Sequence, residues 1–332
     1  PEKFKGNNIH PLIGESIMPV LRGDSVTVHT NDGFGWELFE MKAYIKGISY
    51  YLPEKVLTNE DLLKDFPEWS VEKVASKIGI AARHVAGENE TASDMGVAAA
   101  EKLIEEYHID RSGIDFILFC TQSPDYFLPA TACTIQERLG LGTDTGALDF
   151  NQGCSGFVYG LSLAKGLIVS GIAKNILFIT SETYTKHIHT RDKSNRTIFG
   201  DAAAATLISG KGFAEILNFS LGTDGRGAEN LIVRTGGMRK KDQLHDLRFD
   251  ESGNPLCSDN LFMNGTEILS FTLDVVPALV QKVLEACGRG EVPAVLPEYW
   301  QGEQYLIPQI KEAEARFTSI RIDGPQLQAE LE

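Results

Sequence analysis

From Met41 to about Gly210 the chain alternates between two hydrophobic rhythms. Strand-length apolar runs fall at residues 43–51, 116–122, 145–151, 176–181 and 202–208. Between them lie segments with helical spacing, at 59–65, 71–77, 92–107, 130–139 and 155–169. The 92–107 segment is Ala-rich, and Ser93 stands where a cap belongs. Strands that are apolar throughout and alternate with helices predict an α/β fold with a mostly parallel sheet, covered on both faces. Past Gly210, residues 216–221 and 231–234 read as further strands, and 263–287 as a long helix broken at Pro277. Residues 1–40 are irregular, with scattered Gly, Pro, Asn and Asp. The last stretch, 289–332, is rich in Glu and Gln and punctuated by Pro293, Pro297 and Pro308.

A chain of 332 residues, 42% hydrophobic, holds enough apolar surface for one large or two medium domains. Its formal net charge is -15, which argues against nucleic acid or anionic lipid as a partner. Five cysteines without paired spacing form no disulfide framework, and the absence of C-x-x-C argues against a structural zinc site. The apolar runs are too short for a membrane span, and no basic region leads into an apolar stretch at the start. The expectation is a cytoplasmic protein whose thiols stay reduced.

Chemistry concentrates at Asp149-Phe150-Asn151-Gln152-Gly153-Cys154-Ser155-Gly156-Phe157. An apolar strand precedes this segment and a long apolar helix follows it. Cys154 is therefore predicted at a strand-to-helix turn, where free backbone N–H groups favour a thiolate and can bind the oxyanion of an acyl intermediate. The flanking glycines leave room for a substrate carbonyl. The alternative is a buried structural cysteine at a helix start. Cys120 and Cys133 read as core, while Cys257 and Cys287 lack this setting.

Residues 151–157 resemble the nucleophile motif of ketoacyl-acyl-carrier-protein synthase III, a condensing enzyme of the thiolase superfamily. Further stretches resemble that family in the same order. These are Lys77-Ile78-Gly79-Ile80-Ala81-Ala82-Arg83-His84, Glu90-Thr91-Ala92-Ser93-Asp94, and Thr121-Gln122-Ser123-Pro124-Asp125 with Leu128-Pro129-Ala130. Arg196-Thr197-Ile198-Phe199-Gly200-Asp201-Ala202-Ala203-Ala204, Asp224-Gly225 and Met263-Asn264-Gly265 complete the series. The resemblance spans about residues 41–286. It implies a thiolase-like fold of two pseudo-symmetric α/β halves. Residues 41–210 would form the N-terminal half with the nucleophilic cysteine, and 211–288 a partial, altered C-terminal half. Residues 1–40 would be an atypical extension and 289–332 an atypical tail. It implies, too, that Cys154 takes an acyl group from acyl-coenzyme A or acyl-carrier protein, then condenses it with a malonyl thioester. Coenzyme A and the carrier protein act as substrate carriers, with no cofactor and no metal. Lys77, Arg83, Arg196 and Asn264 become candidates for substrate or carrier binding. A homodimer is implied, with Leu128 reaching the partner's pocket.

The sequence departs from the family in its second half. The family polarises the thioester carbonyl with a His and an Asn after the long helix, but here no histidine follows His245. Its closing Gly-Phe-Gly strand, the source of a second oxyanion N–H, is missing from the C-terminal residues. Loss of one such donor costs about a hundred- to a thousandfold in rate. Three readings follow. The flanks are foreign to the family, as a start at Pro1 ahead of a clean pattern from Met41 suggests. Alternatively, residues 1–40 replace the lost strands, with Gly33-Phe34-Gly35-Trp36 as the turn, Gly35 as the oxyanion donor, and His10 with Asn7 or Asn8 as polar partners. In the third reading, the protein transfers or hydrolyses acyl groups without decarboxylation. A rival from another class is a non-catalytic scaffold that binds carrier proteins.

Other motifs carry less. His187 and His189 are spaced for one face of a strand, but no third ligand is near, and loop histidines near the entrance are the preferred reading. Gly222-Thr223-Asp224-Gly225-Arg226-Gly227 lacks the Lys-Ser/Thr ending of a phosphate loop and reads as a turn. Arg191 and Lys193 join the candidate basic residues. Arg239-Lys240-Lys241, the densest basic cluster, reads as a solvated loop.

Overall fold

The computed structural model describes residues 41–286, apart from residue 252, together with four short strands ahead of them. Residues 1–42 form a unit of their own. In it β1 (Lys3–Phe4) pairs antiparallel with β2 (Asn7–Asn8), and β3 (Thr27–His29) with β4 (Gly35–Glu37). His10 and the tail 289–332 lie outside the described residues.

The second unit is built on a six-stranded sheet. Its strands are β5 (Tyr44–Tyr51), β8 (Phe116–Cys120), β9 (Gly146–Phe150), β10 (Asn175–Glu182), β11 (Ala202–Ser209) and β12 (Ala214–Glu215). Their order is β12-β5-β11-β10-β8-β9, which leaves β9 on an edge. The pairs β8–β9 and β8–β10 are parallel, whereas β10–β11, β11–β5 and β5–β12 are antiparallel. The sheet is thus mixed rather than mostly parallel. Apolar runs such as 116–120 report burial on both faces, and antiparallel central strands buried on both faces look the same in sequence. A two-stranded antiparallel ladder of β6 (Val56–Thr58) and β7 (Ala82–His84) lies outside this sheet.

Side chains alternate between the faces. Ile117, Phe119, Leu177 and Ile179 join Met95, Ala99 and Leu103 of helix Ala92–Glu106 in one core. Leu118, Cys120, Ile176 and Phe178 join Ala164 and Ile168 of helix Gly156–Val169 in the other. Numbered along the chain, the helices are α1 (Asn59–Leu62), α2 (Val71–Ile78), α3 (Ala92–Glu106), α4 (Thr131–Arg138), α5 (Gly156–Val169), α6 (Lys193–Ile198) and α7 (Gly265–Ala286). On α5, Gly160 is required by packing, because a Cβ there would overlap the Phe178 ring.

Three expectations are corrected. The cap of α3 is Thr91, in a reciprocal box with Asp94, and not Ser93. Ser93 instead donates its hydroxyl to Asp125 at 2.5 Å and accepts from Arg138 at 2.7 Å. The strand expected at 216–221 is only β12, two residues earlier. It ends where β5 stops offering partners, with Ile216 N–H donating to Ala43 O at 2.8 Å. Helix α7 runs unbroken through Pro277. Between β12 and α7, β13 (Leu231–Ile232) pairs with β16 (Phe262–Met263), and β14 (Arg248–Phe249) with β15 (Pro255–Leu256). Among the described residues, no helix is long and apolar enough to cross a membrane.

Candidate active site

Cys154 lies in the turn between β9 and α5, and its side chain is exposed. The turn is closed by Gly156 N–H donating to Gly153 O at 2.8 Å. Ser155 occupies the N-cap of α5 in αR geometry, with no side-chain cap on the helix's first amides. The positive end of α5 therefore faces the segment that carries the sulfur. Two glycines allow the crowding here. A Cβ on Gly156 would collide with the Cys120 sulfur, and one on Gly153 would stand 2.9 Å from Gln122 Oε1. Cys120 is the buried counterpart. Its thiol donates to Gln152 O at 3.2 Å, and burial pushes it up to about 11. It stays a protonated core thiol, so the expected contrast between the two cysteines is present in the fold.

A cavity of about 930 Å³ adjoins this turn. Asn151, three residues before Cys154, forms part of its wall, with Gln122, Tyr184 and His187. Burial pushes the Tyr184 hydroxyl up, and negative charge at Cys154 and Glu182 adds to the effect. The Tyr184 ring meets Phe199 at 4.9 Å and His187 edge-on at 5.9 Å. Burial pushes the His187 imidazole below its ordinary range, against the opposing effects of the Gln122 backbone and Asp201. The wall is held from behind by two carboxylates. Glu182 accepts from Gln122 N–H at 2.7 Å and Ser123 Oγ at 2.8 Å, and burial raises its pKa. Asp201 accepts from Ala86 N–H and from Thr185, next to Tyr184. Gly200 is needed beside it, since a Cβ there would press on His84 O at 2.9 Å.

The other expected site residues are dispersed. Arg83 is buried and donates to Asn59 Oδ1, Leu57 O and Thr197 O. It ties β7 to α6 and presents no face to a phosphate, which corrects its expected role in carrier binding. Asn264 caps α7 by accepting from Glu267 N–H at 3.3 Å, and it is not among the residues around the cavity. Arg196 donates to Asp65 at 2.9 Å and to Thr190 O at 2.5 Å. Lys193 pairs with Glu68, and the Arg191 guanidinium lies 4.4 Å over the Phe249 ring. Lys77 lies in the last turn of α2, which ends at Ile78 with Gly79 in the left-handed conformation. Gly35 pairs with His29 in the first unit. Leu128 is 86% exposed, beside the exposed Tyr126 and Phe127, on a loop anchored by Asp125 to Ser93. His187 and His189 do separate things: His189 Nδ1 accepts from Arg191 N–H at 3.1 Å, while His187 joins the cavity wall. Gln122, Tyr184 and Glu182 were not singled out in the sequence. The one signal available was that they close the ends of β8 and β10, next to the end of β9.

The mixed sheet with helices on both faces is the thiolase-like α/β fold. A crystal structure of a 3-oxoacyl-(acyl-carrier-protein) synthase III superposes with a TM-score of 0.72 at 44% identity, covering 75% of each chain. The family model described as 3-oxoacyl-[acyl-carrier-protein (ACP)] synthase III matches residues 148–225, from β9 through the Cys154 turn to Asp224. A beta-ketoacyl-[acyl-carrier-protein] synthase III of Halalkalibacterium halodurans is 36% identical over 259 residues, 77% of this chain and 74% of that one. Its counterpart in Caldanaerobacter subterraneus is 34% identical over 253 residues, 75% and 73% respectively. The chain belongs to the 3-oxoacyl-[acyl-carrier-protein] synthase III family.

Proposed function

We propose that this protein is an acyl-thioester condensing enzyme of fatty acid or related acyl-chain synthesis, with Cys154 as its acyl-carrying nucleophile. The observation that carries the reading is the exposed Cys154 thiol just ahead of α5, in the turn whose Asn151 lines the cavity, Cys154 itself not being among the lining residues. The thiolate attacks the carbonyl of an acyl-coenzyme A. The tetrahedral oxyanion collapses, the carbon–sulfur bond to coenzyme A breaks, and the coenzyme leaves as a thiolate that takes up a proton. Acyl-Cys154 then meets a malonyl thioester on acyl-carrier protein. Loss of carbon dioxide leaves a carbanion that attacks the acyl carbonyl, releasing the Cys154 thiolate and a 3-oxoacyl thioester. Backbone amides at the head of α5 are the oxyanion donors nearest to hand.

Homodimerisation is part of the proposal. Among the described residues the edge strand β9 is paired on one side only, its Leu148 is 45% exposed, and the 126–128 loop carries three exposed large apolar side chains. A partner across β9 satisfies the edge and covers that surface, with Leu128 inserted toward the partner's cavity. The reaction is assigned to the cytoplasm, where a thiol nucleophile stays reduced.

A second reading is acyl transfer or hydrolysis without decarboxylation, in which Cys154 is acylated but no malonyl thioester is consumed. Mass spectrometry after incubation with an acyl-coenzyme A tests the first step. The expected result is a single acyl adduct that Cys154→Ala abolishes; no adduct on the parent protein rejects the nucleophile. Carbon dioxide release on adding malonyl-carrier protein to the acylated protein then separates condensation from simple transfer.

A further inference from the structure

Gln122 lies just past the end of β8, half-buried in the cavity wall. Its backbone is gripped from behind. The Gln122 N–H donates to Glu182 Oε1 at 2.7 Å, at the end of β10. The next residue, Ser123, donates its hydroxyl to Glu182 Oε2 at 2.8 Å and accepts from Thr183 N–H at 2.9 Å. The Gln122 backbone is also hydrogen-bonded to the His187 imidazole. These bonds tie the end of β8 to the end of β10 and fix the point from which the Gln122 side chain departs.

That side chain bears on the nucleophile turn. A Cβ on Gly153 would stand 2.9 Å from Gln122 Oε1, 3.4 Å from its Cδ and 3.7 Å from its Nε2. Cys154 is the next residue, and consecutive Cα atoms are about 3.8 Å apart. The carboxamide therefore sits one residue from the thiol, with its oxygen toward Gly153 and its nitrogen at the farther end. Among the described residues, neither Oε1 nor Nε2 of Gln122 has a hydrogen-bond partner. A carboxamide that is anchored through its backbone, packed against the neighbour of a nucleophile and spent on no protein group keeps its donors for a ligand. The ligand that the proposed function brings to Cys154 is an acyl thioester, whose carbonyl oxygen gains negative charge when the thiolate adds. Preset N–H donors are most effective where such charge develops.

We infer that Gln122 is a further catalytic residue, its Nε2–H donating to the carbonyl oxygen of the acyl thioester as Cys154 attacks. The inference rests on the proposed function for the nature of the group attacked. In this step the thiolate's electron pair forms the sulfur–carbon bond and the carbonyl π pair moves onto oxygen. Gln122 and the backbone amides at the head of α5 share the resulting charge. When that pair returns, the carbon–sulfur bond to coenzyme A breaks and the coenzyme leaves as a thiolate. Gln122 gives up no proton and takes none.

The test compares two reactions of the same sulfur in the parent, Gln122→Met and Gln122→Ala. Acylation by acyl-coenzyme A, timed by quenching and mass spectrometry, passes through an oxyanion. Alkylation by iodoacetamide needs an accessible thiolate and forms no oxyanion. Met keeps the length of Gln but has no N–H. Both variants are expected to acylate about a hundredfold more slowly than the parent and to be alkylated at the parent's rate. Where the Ala variant fails to fold, the Met variant decides. Acylation of the Met variant at the parent's rate overturns the inference, including the case in which Ala alone slows both reactions, the mark of a packing role. Equal slowing of acylation and alkylation in the Met variant overturns it too. A parent that is alkylated at Cys154 but never acylated overturns the proposed function and this inference with it, whereas an acylated parent with unchanged variants overturns the inference alone.

Discussion

The Asp201 carboxylate accepts two hydrogen bonds from one residue, the backbone N–H of Thr185 at 2.9 Å and its hydroxyl at 2.6 Å. A third comes from Ala86 N–H at 2.8 Å, and the carboxylate is 2% exposed. This places Tyr184 and His187, on either side of Thr185 and Lys186, under the control of the first residue after Gly200. The pairing gives the Phe199-Gly200-Asp201 motif a physical role: it fixes the cavity wall to the start of β11.

Asp201→Ala orphans three donors at once, the buried Ala86 N–H and two part-buried ones on Thr185. The expected loss is roughly 3 kcal/mol or more of stability, since each unsatisfied donor costs about 1–3 kcal/mol. Asp201→Asn retains one acceptor oxygen and should lose less. Urea denaturation followed by circular dichroism measures both. Equal stability of the Ala variant and the parent would show that the clamp carries no weight.

The two cysteines at the site should differ sharply in reactivity. Cys120 is buried, with its thiol pushed up to about 11, so iodoacetamide should leave it unmodified in the folded protein near pH 8. Cys154 is exposed and should be alkylated under the same conditions. Peptide mapping distinguishes them, and prior acylation by acyl-coenzyme A should protect Cys154 alone. Faster labelling of Cys120 than of Cys154 would contradict the placement of α5 over the Cys120 sulfur.

His187 gives the pH dependence a definite sign. Burial lowers its folded value below the ordinary 6.5 or so, so the unfolded chain takes up this proton first on acidification. Its contribution to stability is present above the unfolded value and is lost as pH falls through it toward the folded one. His187→Gln should therefore reduce the drop in urea midpoint between about pH 7.5 and about pH 5.5. An NMR titration of the parent should place the imidazole below the ordinary value. A value above it would remove the case for a desolvated ring in the cavity wall.

Leu128→Glu tests the dimer. A charge at the tip of an exposed apolar loop costs little in a monomer but much in a dry interface. Analytical ultracentrifugation should show the parent as a dimer and the variant shifted toward monomer, with the midpoint of unfolding changed little at high protein dilution. A variant that stays fully dimeric would move the interface away from this loop.

Much of the candidate site was legible because its chemistry is local. The apolar strand, the Gly153-Cys154-Ser155-Gly156 turn and the long apolar helix follow one another in the chain. Their physics involves neighbours only, so residues 145–169 were read almost to the residue. Arg83 misled for the opposite reason. A guanidinium in a motif looks available until the fold brings Asn59, Leu57 and Thr197 around it, the last from 114 positions away. Ser93 misled in the same way, since Asp125, 32 residues on, takes its hydroxyl and leaves the cap to Thr91.

From its own pattern, the sequence determined which stretches are strands and helices and where the strand-to-helix cysteine stands, because periodicity and helix-end electrostatics act over a few residues. Tertiary structure alone decided the strand order with its three antiparallel pairings. It also decided that Cys133, read from the sequence as core, is exposed, and it brought Gln122, Asn151, Tyr184 and His187 together around one cavity. Those outcomes depend on contacts between segments far apart in the chain, and no spacing within a single segment encodes them.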